Sequence, residues 1–197
     1  MKLILLILTF VVSSSIIPIQ VTYKINEKSR LFITGATNIN SFQCFCNDKF
    51  QTSQLSAEVN STTNRIQFNK ATLFLRTELI SCKNKMMNKD LHKALKADVY
   101  PFIKIDLINA FPVEKEPLTV LNTWHHYHVN ANLTIAGVTK PVLLSVEINK
   151  LSPHLFRFIS SKDIFMSDFN VKPRTPFNII KMNDLVVINF DMTVIVQ

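Results

Sequence analysis

The chain has 197 residues, 47% of them apolar, and a formal charge of +8. That apolar content excludes disorder, and the length suits one domain with a sizeable core. The lysines are scattered along the sequence, with no arginine-rich helix or aromatic-basic platform, which sets nucleic acid aside as a partner and leaves anionic lipid surfaces as the natural match. With only two glycines, turns must come from Asn, Asp, Ser, Lys and Pro. Fifteen phenylalanines, against one tryptophan and three tyrosines, can fill a core or line a lipid cavity.

The N-terminus opens with Lys2, an apolar run over residues 3–12 broken only by Thr9, and then Ser13, Ser14 and Ser15. A run of about ten is too short for a bilayer core of ~30 Å, so it reads as an export signal. Residues 1–20 are assigned to a signal peptide cut between Ser14 and Gln20, and residues 21–197 to one domain. Losing Lys2 lowers the charge from +8 to +7. No cysteine ends the segment, so a lipoprotein anchor is not expected.

Strands are predicted over residues 21–25 and 30–34, with Gly35 as a bend or bulge before a strand over 37–42. Residues 53–59 put Leu55, Ala57 and Val59 on one side. A strand over 65–80 sets Ala71, Leu73 and Leu75 against Phe74 and Arg76. The period then changes: Leu91, Leu95 and Val99, with Ala94, predict an amphipathic helix over 88–99, capped by Asn88 or Asp90 and ended at Tyr100-Pro101. Residues 102–111 alternate Ile103, Ile105 and Leu107 against Lys104 and Asp106. A loop with Pro112, Glu114, Glu116 and Pro117 follows. Strands are predicted again over 125–136, 142–150, 155–161 and 185–196. Between the first two, Ala136 to Pro141 reads as a hairpin turn, with Gly137 free to take a positive φ and Pro141 opening the return strand. An all-β, antiparallel barrel with one short helix is the economical architecture, since closure removes exposed edges.

Cys44 and Cys46 would share a face of an extended segment, and Cys82 is the distant partner for either. A Cys44–Cys82 bridge would close a loop of nearly forty residues, worth roughly 3–4 kcal/mol by chain entropy. Cys46–Cys82 is the alternative, and spacing does not choose. The three thiols lack the C-x-x-C spacing of a structural zinc site. His126 and His128 would share one face of a strand, with His125 and Tyr127 on the other. Two imidazoles at that spacing can ligate a metal only with a third ligand from elsewhere, so a solvated strand face is the simpler reading and a metal or enzymatic centre the alternative. G-x-S-x-G, H-E-x-x-H and glycine-rich phosphate motifs are absent, and no catalytic residue, metal or cofactor is assigned.

The run Leu133-Thr-Ile-Ala-Gly-Val-Thr-Lys-Pro141 resembles the LTI-GVTK signature of the YceI-like family. Gly35 to Phe42 is similar to that family's early G-T-V/N-x-x-F segment, with Cys44 two beyond the phenylalanine. Asp90 to Leu95 followed by Val99-Tyr-Pro-Phe-Ile103 resembles its helix and y-P-x-I segment. Asp163 to Phe169 resembles its R-x-D-F-G stretch, but Phe165 and Met166 stand where arginine is expected and Asn170 where glycine is usual. The resemblance implies a periplasmic, eight-stranded lipocalin-like barrel holding a polyisoprenoid or isoprenoid quinone, without catalysis. A barrel filled by its own side chains, serving as an envelope interaction module, is a further alternative. Expected lining positions are Leu73, Leu75, Ile103, Ile105, Leu107, Val129, Leu133, Leu144, Val146, Ile188 and Phe190. Arg76, Arg157 and Arg174 are candidate head-group partners. A transient contact with a membrane surface and a monomeric or homodimeric state complete the expectation.

Overall fold

The computed structural model describes residues 16–50, 52–114, 118–173 and 180–197. Its strands are β1 (Ile16–Ile25), β2 (Arg30–Thr37), β3 (Ser41–Cys46), β4 (Ser53–Asn60), β5 (Ile66–Lys70), β6 (Thr72–Arg76), β7 (Ile80–Ser81), β8 (Phe102–Pro112), β9 (Trp124–Ile135), β10 (Val138–Ser152), β11 (Leu155–Phe165) and β12 (Met182–Val196). One helix, α1 (Lys85–Ala94), lies between β7 and β8. The ring runs β1-β4-β5-β8-β9-β10-β11-β12 and closes through an antiparallel β12–β1 pairing. β1 and β2 both pair with β12, and β5 and β6 both pair with β8, so each couple is one interrupted strand. β3 pairs β2 as β4 pairs β1. The fold is therefore the eight-stranded, lipocalin-like antiparallel barrel, with its first three strands broken into pieces.

Register carries one apolar face around the ring. Leu73 faces Ile105 and Ile105 faces Leu133. Val129 pairs with Leu144, Val146 with Ser160, Ser160 with Phe190, and Phe190 with Leu31. On β9 the alternation is clean: His125, Tyr127, Val129, Ala131, Leu133 and Ile135 are all buried.

Several local expectations shift. β1 begins at Ile16 rather than residue 21, and residues 16–20 are paired with β4 from Ile16–Asn60 inward. The predicted 65–80 strand breaks at Ala71, whose carbonyl accepts a bond from the Leu107 N–H at 2.9 Å. α1 starts three residues before the predicted Asn88, because Asn84 caps it by accepting from the Met87 N–H at 3.0 Å. Asn88 instead accepts from the Cys82 N–H at 2.7 Å and donates to Ser81 at 3.0 Å, tying the helix to β7. The helix stops at Ala94, with Leu95 as C-cap and Lys96 at φ 52°, so Val99 lies beyond it and is exposed.

Gly35 sits in regular register opposite Phe42, while the irregularity falls across from it between Met182 and Val186. What favours glycine is the Phe42 ring, which lies over the Gly35 backbone where a Cβ would project. The β9–β10 turn is shorter than predicted. Ile135 pairs with Val138, leaving Ala136 (φ 49°) and Gly137 (φ 81°) as a two-residue hairpin turn. With glycine so scarce, Asn64, Lys83, Lys96, Asn122 and Asn170 take left-handed positions. Asn170 does so at the end of the 3₁₀ turn Met166–Phe169, where the resemblance expects glycine.

Candidate functional site

β8 starts, β9 ends, β11 ends and β12 starts at the same end of the barrel. Ile103, Ile135, Ile164 and Ile188 project inward there, below α1. Ile33, Phe42 and the Cys44–Cys82 disulfide form one wall, Met166 and Phe169 of the 3₁₀ turn another, and Met87, Leu91 and Ala94 of α1 the cover. The cavity, open to the surface on one side, is about 340 Å³. Thr37, Asn40, Asn84 and Asp90 supply its polar lining, and Asp90 is the titratable side chain among the described lining residues. Such a space can hold an apolar chain by desolvation and gives a head group a few hydrogen-bonding partners near the surface.

The disulfide joins β3 to the segment entering α1, which is the Cys44–Cys82 pairing of the two that spacing allowed. Cys46 is a free thiol, half-buried, and burial pushes its pKa up.

All eleven predicted lining residues stand on the inward face by register, but they divide by depth. Ile103 and Ile188 line the cavity. Leu75, beside Ile103 in the ladder, and Ile105, Val129, Leu133 and Leu144 are buried in the packed core. Leu73, Leu107, Val146 and Phe190 pack against that core and are partly buried. The α1 face, Phe42, Met166 and Phe169 were missed as wall residues. Leu91 and Ala94 carried a signal as the helix's apolar face, whereas nothing local marks a 3₁₀ turn as a wall.

Neither described arginine lines this cavity. Arg76 pairs with Asp48 at 2.7 Å on the barrel flank, and its backbone N–H also donates to that carboxylate at 2.9 Å. Burial pushes Asp48 up, but these bonds from Arg76 outweigh it and hold the carboxyl below its ordinary range. Arg157 makes a two-pronged bond to Asp191, 2.9 Å on each arm, on the outer surface. That bond holds Asp191 below the usual carboxylate range. Arg174 lies outside the described residues.

His126 and His128 do share a face, with His125 and Tyr127 buried on the other. The exposed His126 ring meets Glu114 at 2.7 Å, with Glu147 at 3.9 Å, and Glu114 is held low first by the His126 backbone N–H and also by its ring. His128 lies against Phe111, ring centroids 5.6 Å apart. Among the described residues no three His, Cys, Asp or Glu side chains are grouped to hold a metal ion. Among them, too, no helix is long and apolar enough to cross a membrane.

The family model for the YceI-like domain matches residues 23–194. No curated protein matches the chain. Among solved structures, the chain is similar to a polyisoprenoid-binding domain from Saccharophagus degradans implicated in plant cell wall breakdown, with a TM-score of 0.64 at 11% identity over 89% of this chain and 98% of that one. BcnA of Burkholderia cenocepacia gives 0.63 at 18% identity, over 86% and 99%. The Campylobacter jejuni YceI protein gives 0.53 at 18%, over 71% and 78%. At these identities the structures speak to the fold, while the family model spans nearly the whole described barrel. The chain belongs to the YceI-like family.

Proposed function

We propose that this chain is an exported carrier that holds an isoprenoid lipid, a polyisoprenoid or an isoprenoid quinone, in the cavity beneath α1, without catalysis. The observation that carries this is the cavity itself: about 340 Å³ at one barrel end, walled by aliphatic, methionine and phenylalanine side chains. Each ligand CH₂ moved there from water contributes roughly 0.8 kcal/mol, so a few isoprene units suffice for retention. The polyisoprenoid-binding description of the Saccharophagus domain and the shared family support the same ligand class. Export is read from the first residues. Because Ile16 already pairs with Asn60, we place cleavage of the leader at or before Ser15, the early part of the expected window.

The test is mass spectrometry of organic extracts from protein purified from its native envelope, with binding of a fluorescent prenol to stripped protein as the second arm. A stoichiometric prenyl species is expected, and Ala94→Phe, which fills the cavity from α1, should weaken prenol binding on the order of tenfold. A lipid-free extract from folded protein that also fails to bind the prenol overturns the reading.

A further inference from the structure

Lysines recur along the whole chain, but the segment that forms α1 and its flanks is the densest in them. Residues 83–96 hold Lys83, Lys85, Lys89, Lys93 and Lys96 against one acid, Asp90; five less one gives +4 of the chain's +8. Lys85, Lys89, Lys93 and Lys96 are exposed; the first three form one stripe at helical spacing, and Lys96 follows just beyond the C-cap. Met87, Leu91 and Ala94, which cover the cavity, lie on the opposite side. A shallow groove along the outer side of α1 is lined by Lys85, Asn88, Lys89, His92 and Lys93, with Ala97 and one carboxylate, Asp98, at its far end. Among the described residues, none of these four lysines enters an ion pair.

Lys93, in the last turn, suits the helix dipole, but the rest of this pattern works against the helix. Its first turn contains no acidic residue, and Lys85 stands at the positive end of the helix dipole. Lys85, Lys89 and Lys93 follow one another at four-residue spacing, where like charges repel. A local rule broken without a structural return points to use by a partner. Beside the stripe the cavity reaches the surface through apolar side chains. Met86, on the flank between the two helix faces, is 61% exposed, and Ile39 is 65% exposed; both line the cavity.

We infer that α1 is a membrane-docking face for anionic bilayers, and that it sets the cavity mouth against the lipid phase from which the ligand is taken. The inference rests on the lipid-carrier reading above. Charge and apolar contact act together: the lysines meet the negative surface, and Met86 and Ile39 enter the interface next to them.

The experiment is vesicle co-sedimentation of the full chain, comparing phosphatidylcholine vesicles with vesicles that also contain phosphatidylglycerol. Prenol binding is measured in solution in parallel. Binding to the anionic vesicles only, weakened by salt, is expected. K85Q/K89Q/K93Q should lose on the order of 100-fold in vesicle affinity, about fivefold per lysine, and keep wild-type prenol binding. Met86→Ser with Ile39→Ser should weaken vesicle binding with the lysines in place. Docking is overturned if the wild type ignores anionic vesicles, as it would if the stripe served an acidic protein, or if the triple variant binds them unchanged. Loss of prenol binding by the wild type would instead sink the carrier reading, whatever the vesicles show.

Discussion

In the lower part of the barrel, Val129 stands between Leu144 and Ala110 of the neighbouring strands and Leu133 beside Ile105, all buried together with Tyr127 and the fully buried Ala131. At the α1 end the same inward face leaves a cavity of about 340 Å³. The strands account for the difference. β8 to β12 are long and continuous, each 11 to 15 residues, and build the packed part. The cavity wall is made where the first strands break into β2, β3 and β7, and where a helix and a 3₁₀ turn replace ladder. A barrel of eight strands is just wide enough to fill with its own side chains or to hold one small ligand, and here the open space lies at the end where strands are interrupted.

Three substitutions would break or sharpen that contrast. The largest effect is expected at the disulfide that holds the interrupted end together. Cys82→Ser should cost about 3–4 kcal/mol in urea unfolding under oxidising conditions, and an unchanged midpoint would mean that β3 and α1 are held without it. Next is Leu133→Ala in the packed part, expected to cost about 3 kcal/mol while changing prenol affinity less than about twofold. A large affinity loss there would show that the ligand reaches below the cavity floor and that the two ends are not separate.

The smallest effect belongs to the surface pair on β11 and β12. Asp191→Asn should cost roughly 0.5 kcal/mol at neutral pH, since both partners are over a third exposed and salt screens them. The Asp191 pKa is depressed in the fold, so its stabilisation is present above the unfolded carboxylate pKa and lost as pH falls through the folded one. Wild type and variant should therefore converge in urea midpoint as acidification passes below the ordinary carboxylate range and through the lowered Asp191 pKa. A gap that persists there would assign the cost to packing instead.

Much of the barrel was legible because period-two alternation is local. Ile103, Ile105 and Leu107, or Leu133 and Ile135, declare a buried face without knowledge of what they touch. Register carried all eleven predicted positions inward, yet sequence could not show that Ile188 meets open space while Leu144 meets side chains. That depends on what the opposite wall supplies, and the wall is a helix and a turn far away in the chain. The breaks were hard for the opposite reason. Ala71 interrupts its strand through a bond to Leu107, and Asn84, not Asn88, caps α1, although both are asparagines in similar surroundings. The lysine stripe was only partly legible, since Lys85 lies before the helix predicted over 88–99 and aligns with Lys89 and Lys93 only once the helix is known to start there.

β10 pairs with β9 from Val138 onward, but its ladder with β11 begins only at Val146, and the 3₁₀ turn Met166–Phe169 packs beside the stretch between. A seam of that kind is a template on which another copy could add a strand. Pro141 lies within it and offers no N–H, and exposed Lys140 places a charge there. The proline that looked like a punctuation mark for a hairpin thus leaves this stretch of β10 one N–H short for any strand that would pair with it.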